Sequence, residues 1–522
     1  MFERGVSATV PPVRSLEEAF PRFRAGDPST VRVLGDVRER AHAFAQQHVR
    51  PLALDIDQRA AADPRYVDWD LVKAGCEHGL LSLAIPSAAG GQGGLVQEMC
   101  VTLEELCAAC PGVGNIFGAH GLGMLPLLVT GVTHWDGLLH DIAVAERQGR
   151  PVLMACAVTE PDAGTDVEEV DLMRRGKITS RAVHVAGGWR LNGTKRFISN
   201  GSLADWVTVC MPSDPKRPAE TWTCFLVDAH SEGFSVGRVE HKMGQRACPA
   251  AELIFDDVFV PDERVVGRPG DGMPCTLLVL AASRPAVAAI ATGIARGAYD
   301  RVLGWLEQEP TLIGRQQVQL ALARMEEEIH LARQGYLDAA TEVDATISPA
   351  LHHPLVRAMR MVPSATRRRP LVRRWITSPW ARQTTVAVLR HTVTDRAVTR
   401  SLALSSLAKA HAADVAVSVT GLALELVGLD AGEIRAELAA IADGDLDAPR
   451  LGRRFVRVCG ERRAHQRLHL GVGAQSGIEI YQYGGVGRVQ IEDAADAQQA
   501  ARQTRHGQVG VERNLVAERE QE

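Results

Sequence analysis

The sequence predicts an α+β protein in three parts: a helical N-terminal domain over residues 1–150, a central antiparallel β domain over 151–267, and a C-terminal helical bundle over 268–522. Three observations carry that prediction. Between Val31 and about Arg147, apolar residues such as Leu34, Val37, Ala41, Phe44 and Ala45 recur at helical spacing. Between Val152 and Val266 the period shortens to alternating runs separated by turn residues. From Met273 the helical period returns over long, largely apolar stretches.

A chain of 522 residues with 46% hydrophobic content buries a large core and has the length of roughly three domains. Its formal charge of -5 argues against a protein that works chiefly through nucleic-acid electrostatics. The first residues, Met1-Phe2-Glu3-Arg4, lead into polar, proline-containing sequence without a secretory apolar segment. The longest apolar runs, such as Cys275 to Ala282, read as too short to span a bilayer. A cytoplasmic protein without a transmembrane segment is the expectation. Ten irregularly spaced cysteines favour reduced, buried thiols over a disulfide framework. The lone pair Cys107-Ala108-Ala109-Cys110 reads as a helix end before Pro111, and no metal site is expected there.

Within the N-terminal part, periodic runs fall around Leu71 to Leu83 and Glu98 to Cys110, with the glycine-rich loop Pro86 to Gly94 between them. That loop is either a solvated connection or a ligand contact. The central part opens with an extended lead-in, Val152 to Val158, which runs into Thr159-Glu160-Pro161-Asp162-Ala163-Gly164-Thr165-Asp166. A turn of this composition is expected to leave backbone N–H groups pointing one way, which suits a phosphate or an electron-rich ring. A second such stretch, Trp189 to Gly201, contains Asn192-Gly193, which reads as a hairpin turn. Phe197 and Ser199 alternate onto one face of the returning strand. Further strands are expected at Ala182–Leu191, Trp206–Met211, Thr223–Val227, Phe234–Val239 and Leu253–Val260. Gly267 to Gly270 closes the unit, and long helices follow at Thr276–Leu306, Gln316–Val343 and Leu402–Val427.

In this order, these residues resemble the acyl-CoA dehydrogenase family of flavoproteins. Thr159-Glu160-Pro161-x-Ala163-Gly164-Thr165-Asp166 is similar to the family's T-E-P-x-A-G-S-D loop, and Arg196 to Gly201 to its second flavin strand. Lys242 to Arg246 with Glu252 to Pro261 resembles the signature that closes the sheet, and Ser283-Arg284-Pro285 opens the long helix that follows. The resemblance implies FAD as cofactor and α,β-dehydrogenation of an acyl thioester, carried by acyl-CoA or acyl carrier protein. It also implies an electron-transferring flavoprotein as redox partner, a role in fatty acid metabolism, and a homo-oligomer. By the same resemblance, Val158 and Thr159 set backbone and hydroxyl against the flavin. Gly164 and Thr165 belong to its phosphate loop, Phe197 packs on the ring, Ser199 donates to the ring edge, and Arg284 lines the acyl pocket.

Three stretches depart from the family pattern. The glutamate that usually serves as base aligns with His506 or, with a shifted gap, Gln508, and the alternative position before the arginine is Ser283. A carboxylate suits proton abstraction, glutamine cannot accept a proton, and histidine could serve in a different geometry, so His506 is the candidate base. The segment Trp305 to Arg315 lacks the R-x-x-F-G run that reaches a neighbouring subunit's cofactor in the family. Insertions are read at about 345–400 and 429–476. Within the first, His352 to Arg400 carries Arg357, Arg360, Arg367, Arg368, Arg369, Arg373, Arg374, Arg382, Arg390, Arg396 and Arg400, opposed only by Asp395. It reads as a solvated or membrane-surface segment, as a dock for an acidic partner such as acyl carrier protein, or, last in rank, as a nucleic-acid contact. The acidic loop Asp443 to Asp447 in the second lacks the later ligands of a calcium site.

Overall fold

The computed structural model describes residues 28–130, 134–164, 170–351, 353–361 and 391–428, with isolated positions between 372 and 388 and two short strands, Tyr481–Gln482 and Gly485–Val486. The residues up to 471 form one compact unit, and 472–522 form a second. His506 and Gln508, Thr165, and most of the arginine-rich and 429–476 segments lie outside the described residues.

The helical part expected at the N-terminus is built from α1 (Pro28–Phe44), α2 (Ala53–Ala62), α3 (Trp69–Glu77), α4 (Val96–Ala109), α5 (Pro111–Thr130) and α6 (Asp136–Arg147). Their ends follow from local chemistry. The Asp68 carboxylate accepts the Leu71 N–H at the start of α3, and Glu98 reaches back to the Leu95 N–H ahead of α4. Cys110, extended at φ -155°, ends α4, so the lone cysteine pair is a helix end. All nine described cysteines are free thiols, and no metal-binding cluster occurs among the described residues. The Pro86–Gly94 loop consumes its own donors: the N–H groups of Gly91, Gln92, Gly93 and Gly94 bond to the carbonyls of Pro86, Ser82, Ile85 and Leu83. That makes it a structural connection.

The central part is two four-stranded sheets packed face to face. One runs β1 (Met154–Ala157), β4 (Trp206–Pro212), β5 (Trp222–Asp228), β8 (Val265–Val266); the other runs β2 (Arg181–Val185), β3 (Gly188–Ser199), β7 (Ala250–Pro261), β6 (Phe234–Val239). All pairings are antiparallel except β1 with β4. Between the sheets lie Ala157, Trp189, Leu191, Val209, Phe225, Leu253 and Phe255, the inward sets of alternating strands. One expectation is corrected here. The hairpin turn is Ala186–Gly187, whereas Asn192–Gly193 sits inside β3 opposite a bulge of β7, where Leu191 pairs with Val258 and Gly193 with Phe255. Asn192 accepts the Asp257 N–H, and Gly193 stands at φ +137° with Ser180 Cα 2.6 Å from where a Cβ would be. Only glycine fits that conformation and that approach, so the dipeptide marks a strand position facing the β7 bulge instead of a turn.

The C-terminal helices are α7 (Gly272–Leu306), α8 (Gln316–Leu351) and α9 (Asp395–Gly428). Alanines and glycines of α7 let it cross α4 closely: a Cβ at Gly297 would lie 2.3 Å from the Ala108 carbonyl oxygen. A second expectation changes with these lengths. By length and composition, α5, α7 and α9 are long and apolar enough to cross a membrane, because small residues extend apolar character beyond the short runs counted from sequence. Their apolar windows are 78%, 61% and 50% buried within the protein, against one another and against α4 and α8.

Candidate functional site

The loop after β1 and the far end of β3 are brought together by hydrogen bonds that the sequence does not display. The Arg196 N–H donates to the Thr159 carbonyl at 3.0 Å, and the Lys195 ammonium donates to the Val158 carbonyl at 2.9 Å. Within the loop, the Glu160 and Ala163 N–H groups bond to each other's carbonyls. Those two donors therefore face inward instead of out to a ligand.

Beneath the loop sits an ion pair closed to solvent: Lys195 Nζ lies 2.9 Å from Glu160 Oε1, and both side chains are 0% exposed. The other Glu160 oxygen accepts the Thr179 N–H at 2.7 Å, the Thr179 hydroxyl and the Ser180 N–H, and the Ser180 hydroxyl donates to Oε1. Burial works against the Glu160 charge, but Lys195 and these donors outweigh it and hold the carboxyl below its usual range. Burial pulls the Lys195 ammonium down, opposed by Glu160. The ammonium is surrounded by one carboxylate, one carbonyl and the Trp222 face at 5.0 Å.

Above the pair, β3 bulges between Lys195 and Ile198, with Phe197 at φ +59°. A bulky residue is held in the left-handed region here because the surrounding sheet fixes it. The bulge places the Phe197 ring 4.6 Å from the Arg196 guanidinium, and Arg196 also bonds to Glu240. At the end of the strand, Asn200, at φ +59°, donates from its amide to the Ile116 carbonyl at 2.7 Å, which fastens β3 to α5. The Cys248 thiol bonds to Asn200 Oδ1, with the Ser199 and Asn115 side chains beside it; burial pushes it up. Asn115 Nδ2 is buried with no protein partner.

Val158, Thr159, Phe197 and Ser199 are thus gathered in one neighbourhood, each only partly buried while the pair beneath them is sealed, and Gly164 closes the described part of the loop. Arg284 lies elsewhere: on α7 it donates to the Ser406 hydroxyl of α9 at 2.8 Å. Ser283, half-buried, donates to the Leu280 carbonyl within the same helix. Sequence reading gave Glu160 and Lys195 no role of their own. A signal was available, since Trp189, Leu191 and Lys195 share the inward set of β3, where a lone lysine needs a partner.

The chain is similar to known proteins in both sequence and fold. Residues 35–134 match the acyl-CoA dehydrogenase N-terminal domain, 155–258 the middle domain, and 270–369 the C-terminal domain. A probable acyl-CoA dehydrogenase of Mycobacterium leprae is 30% identical over 313 residues, covering 59% of this chain and 76% of the relative. Butyryl-CoA dehydrogenase from Megasphaera elsdenii superposes with a TM-score of 0.54 at 25% identity, over 75% of this chain and 98% of that one. An acyl-CoA dehydrogenase complexed with FAD from Bacillus anthracis shares the fold at a TM-score of 0.58 and 19% identity, over 84% of this chain and 64% of that one.

Proposed function

The chain belongs to the acyl-CoA dehydrogenase family, and from that premise we propose that it is an FAD-dependent oxidoreductase forming an α,β double bond in an acyl thioester. The observation that carries this reading is the convergence of Val158–Thr159 with Phe197–Ser199 over the sealed Lys195–Glu160 pair. The residues fit the cofactor. Thr159 and Ser199 offer hydroxyls and Phe197 an aromatic face, all partly exposed on a backbone fixed from below. Val158, Thr159, Gly164, Phe197 and Ser199 would hold FAD, with Thr165 completing the phosphate loop. FAD, when bound, supplies the hydride acceptor.

The chain's own part is to orient the thioester, exclude water and remove the α-proton. Ser283 stands where one branch of the family places its base, and a neutral serine hydroxyl is too weak a base to take the α-proton. His506 is the proposed base. The thioester carrier is proposed to be CoA or an acyl carrier protein met by the basic 352–400 segment, electrons leaving through an electron-transferring flavoprotein, in a homo-oligomer.

The test is spectroscopic. Purified protein should show bound-flavin absorption bands that butyryl-, octanoyl- or palmitoyl-CoA bleaches under anaerobic conditions. Protein that neither contains nor takes up FAD would rule the reading out. A second reading, favoured by Ser283, is a flavoprotein of the same fold with different chemistry. Retained flavin with no bleaching at any chain length selects it.

A further inference from the structure

The functional reading assigns the flavin to residues on the surface of the loop, but the group that holds the loop is underneath. Lys195 makes two bonds of different kinds: one to the Glu160 carboxylate and one to the Val158 carbonyl, each at 2.9 Å. The first neutralises a buried charge. The second fixes the peptide plane between Val158 and Thr159, the two residues placed against the flavin. The neighbouring Arg196 N–H takes the next carbonyl, that of Thr159. Both carbonyls are thereby turned toward β3, and this sets which groups of the loop remain for a ligand.

We propose that Lys195 is a positioning residue for the flavin, acting through the Val158 carbonyl, and that charge compensation of Glu160 is its second, separable task. The inference rests on the FAD reading above. Glu160 in turn keeps the ammonium in place, anchored by the Thr179 and Ser180 donors, so the chain of contact runs from Ser180 through Glu160 and Lys195 to Val158. Its components are rigid: Glu160 and Lys195 are sealed and Trp222 covers the ammonium. A shift of this unit moves the loop backbone as one piece.

The two tasks are separated by comparing Lys195→Met with the charge-balanced double variant Lys195→Met/Glu160→Gln. Met leaves a buried carboxylate unpaired, so the single variant loses thermal stability; Gln at 160 still accepts the Thr179 and Ser180 N–H groups and restores much of it. FAD affinity, read by fluorescence titration of flavin-stripped protein, should fall by about tenfold or more in both variants, with a shifted visible spectrum in each. Recovery of wild-type affinity and spectrum in the double variant, together with its stability, would overturn the proposal, as would wild-type affinity in Lys195→Met. Wild-type protein that itself binds no FAD fails the functional reading instead, which keeps the two failures apart.

Discussion

His120 shows how one buried side chain joins distant parts of the chain. It accepts the Met154 N–H on Nδ1 at 3.1 Å, so its Nε2–H donates to the Leu81 carbonyl at 3.0 Å. Burial holds the ring neutral, lowering its pKa from 6.5 to about 4. Because the folded pKa is depressed for a base, the unfolded chain binds the extra proton first. Stability is complete above the unfolded value and falls as pH drops from about 6.5 toward 4, by about 3 kcal/mol across that window. In paired denaturant titrations, His120→Gln should be less stable at neutral pH by about 1–3 kcal/mol and lose that pH-dependent slope. A slope identical to wild type would remove His120 as its source. At the same scale, Thr159→Ala and Ser199→Ala should weaken FAD binding or shift its visible maxima while leaving the melting temperature nearly unchanged. A wild-type spectrum and affinity in both would take them off the flavin. These residues were legible because motif spacing exposes them. Lys195 was not, since its importance depends on Val158 and Glu160 arriving beside it.

The helices meet through small residues and shared caps. A Cβ at Gly293 would stand 2.6 Å from the Glu104 carbonyl oxygen and one at Gly297 2.3 Å from that of Ala108, so α7 rests its backbone on α4 at two successive turns. Gly297→Ala should destabilise by about 1–3 kcal/mol, measured by chemical denaturation, because backbone cannot move aside as a side chain can. An unchanged midpoint would mean that the helices separate without loss. The start of α4 is capped from α8, where the Asp344 carboxylate accepts the Val96 and Gln97 N–H groups. Asp344→Ala should cost about 1–2 kcal/mol, a loss that Asp344→Asn partly recovers. Helices and strands were readable from period because each buries one face. The place of Asn192–Gly193 inside β3 was not, because a dipeptide that permits a turn is also accepted within a strand that faces a bulge. The choice fell to Ser180 and Asp257, remote in sequence.

Across the whole molecule, a buried charge network joins the N-terminal and C-terminal helices. Arg333 of α8 clamps Glu104 of α4 through both its Nε and Nη2, Tyr336 donates to the same carboxylate, and Arg296 of α7 takes Glu105, which Arg38 of α1 also reaches. Burial alone would raise the Glu104 pKa, but Arg333 and Arg296 outweigh it and hold it at about 2. Arg333→Met should cost about 3–5 kcal/mol by leaving that carboxylate uncompensated, and the further change Glu104→Gln should restore part of the loss. A single-variant cost below about 1 kcal/mol would show the network to be incidental. By itself the sequence determined the helix–sheet–helix order, most of the strands and the family, because periodicity and motif are local properties carried by neighbouring residues. Tertiary structure alone decided which carbonyl Lys195 holds, why Asn192–Gly193 lies within a strand opposite a β7 bulge, that Arg284 spans to Ser406, and how the long apolar helices bury half or more of their apolar windows. Those outcomes depend on groups far apart in the chain, whose approach is fixed only when the layers pack.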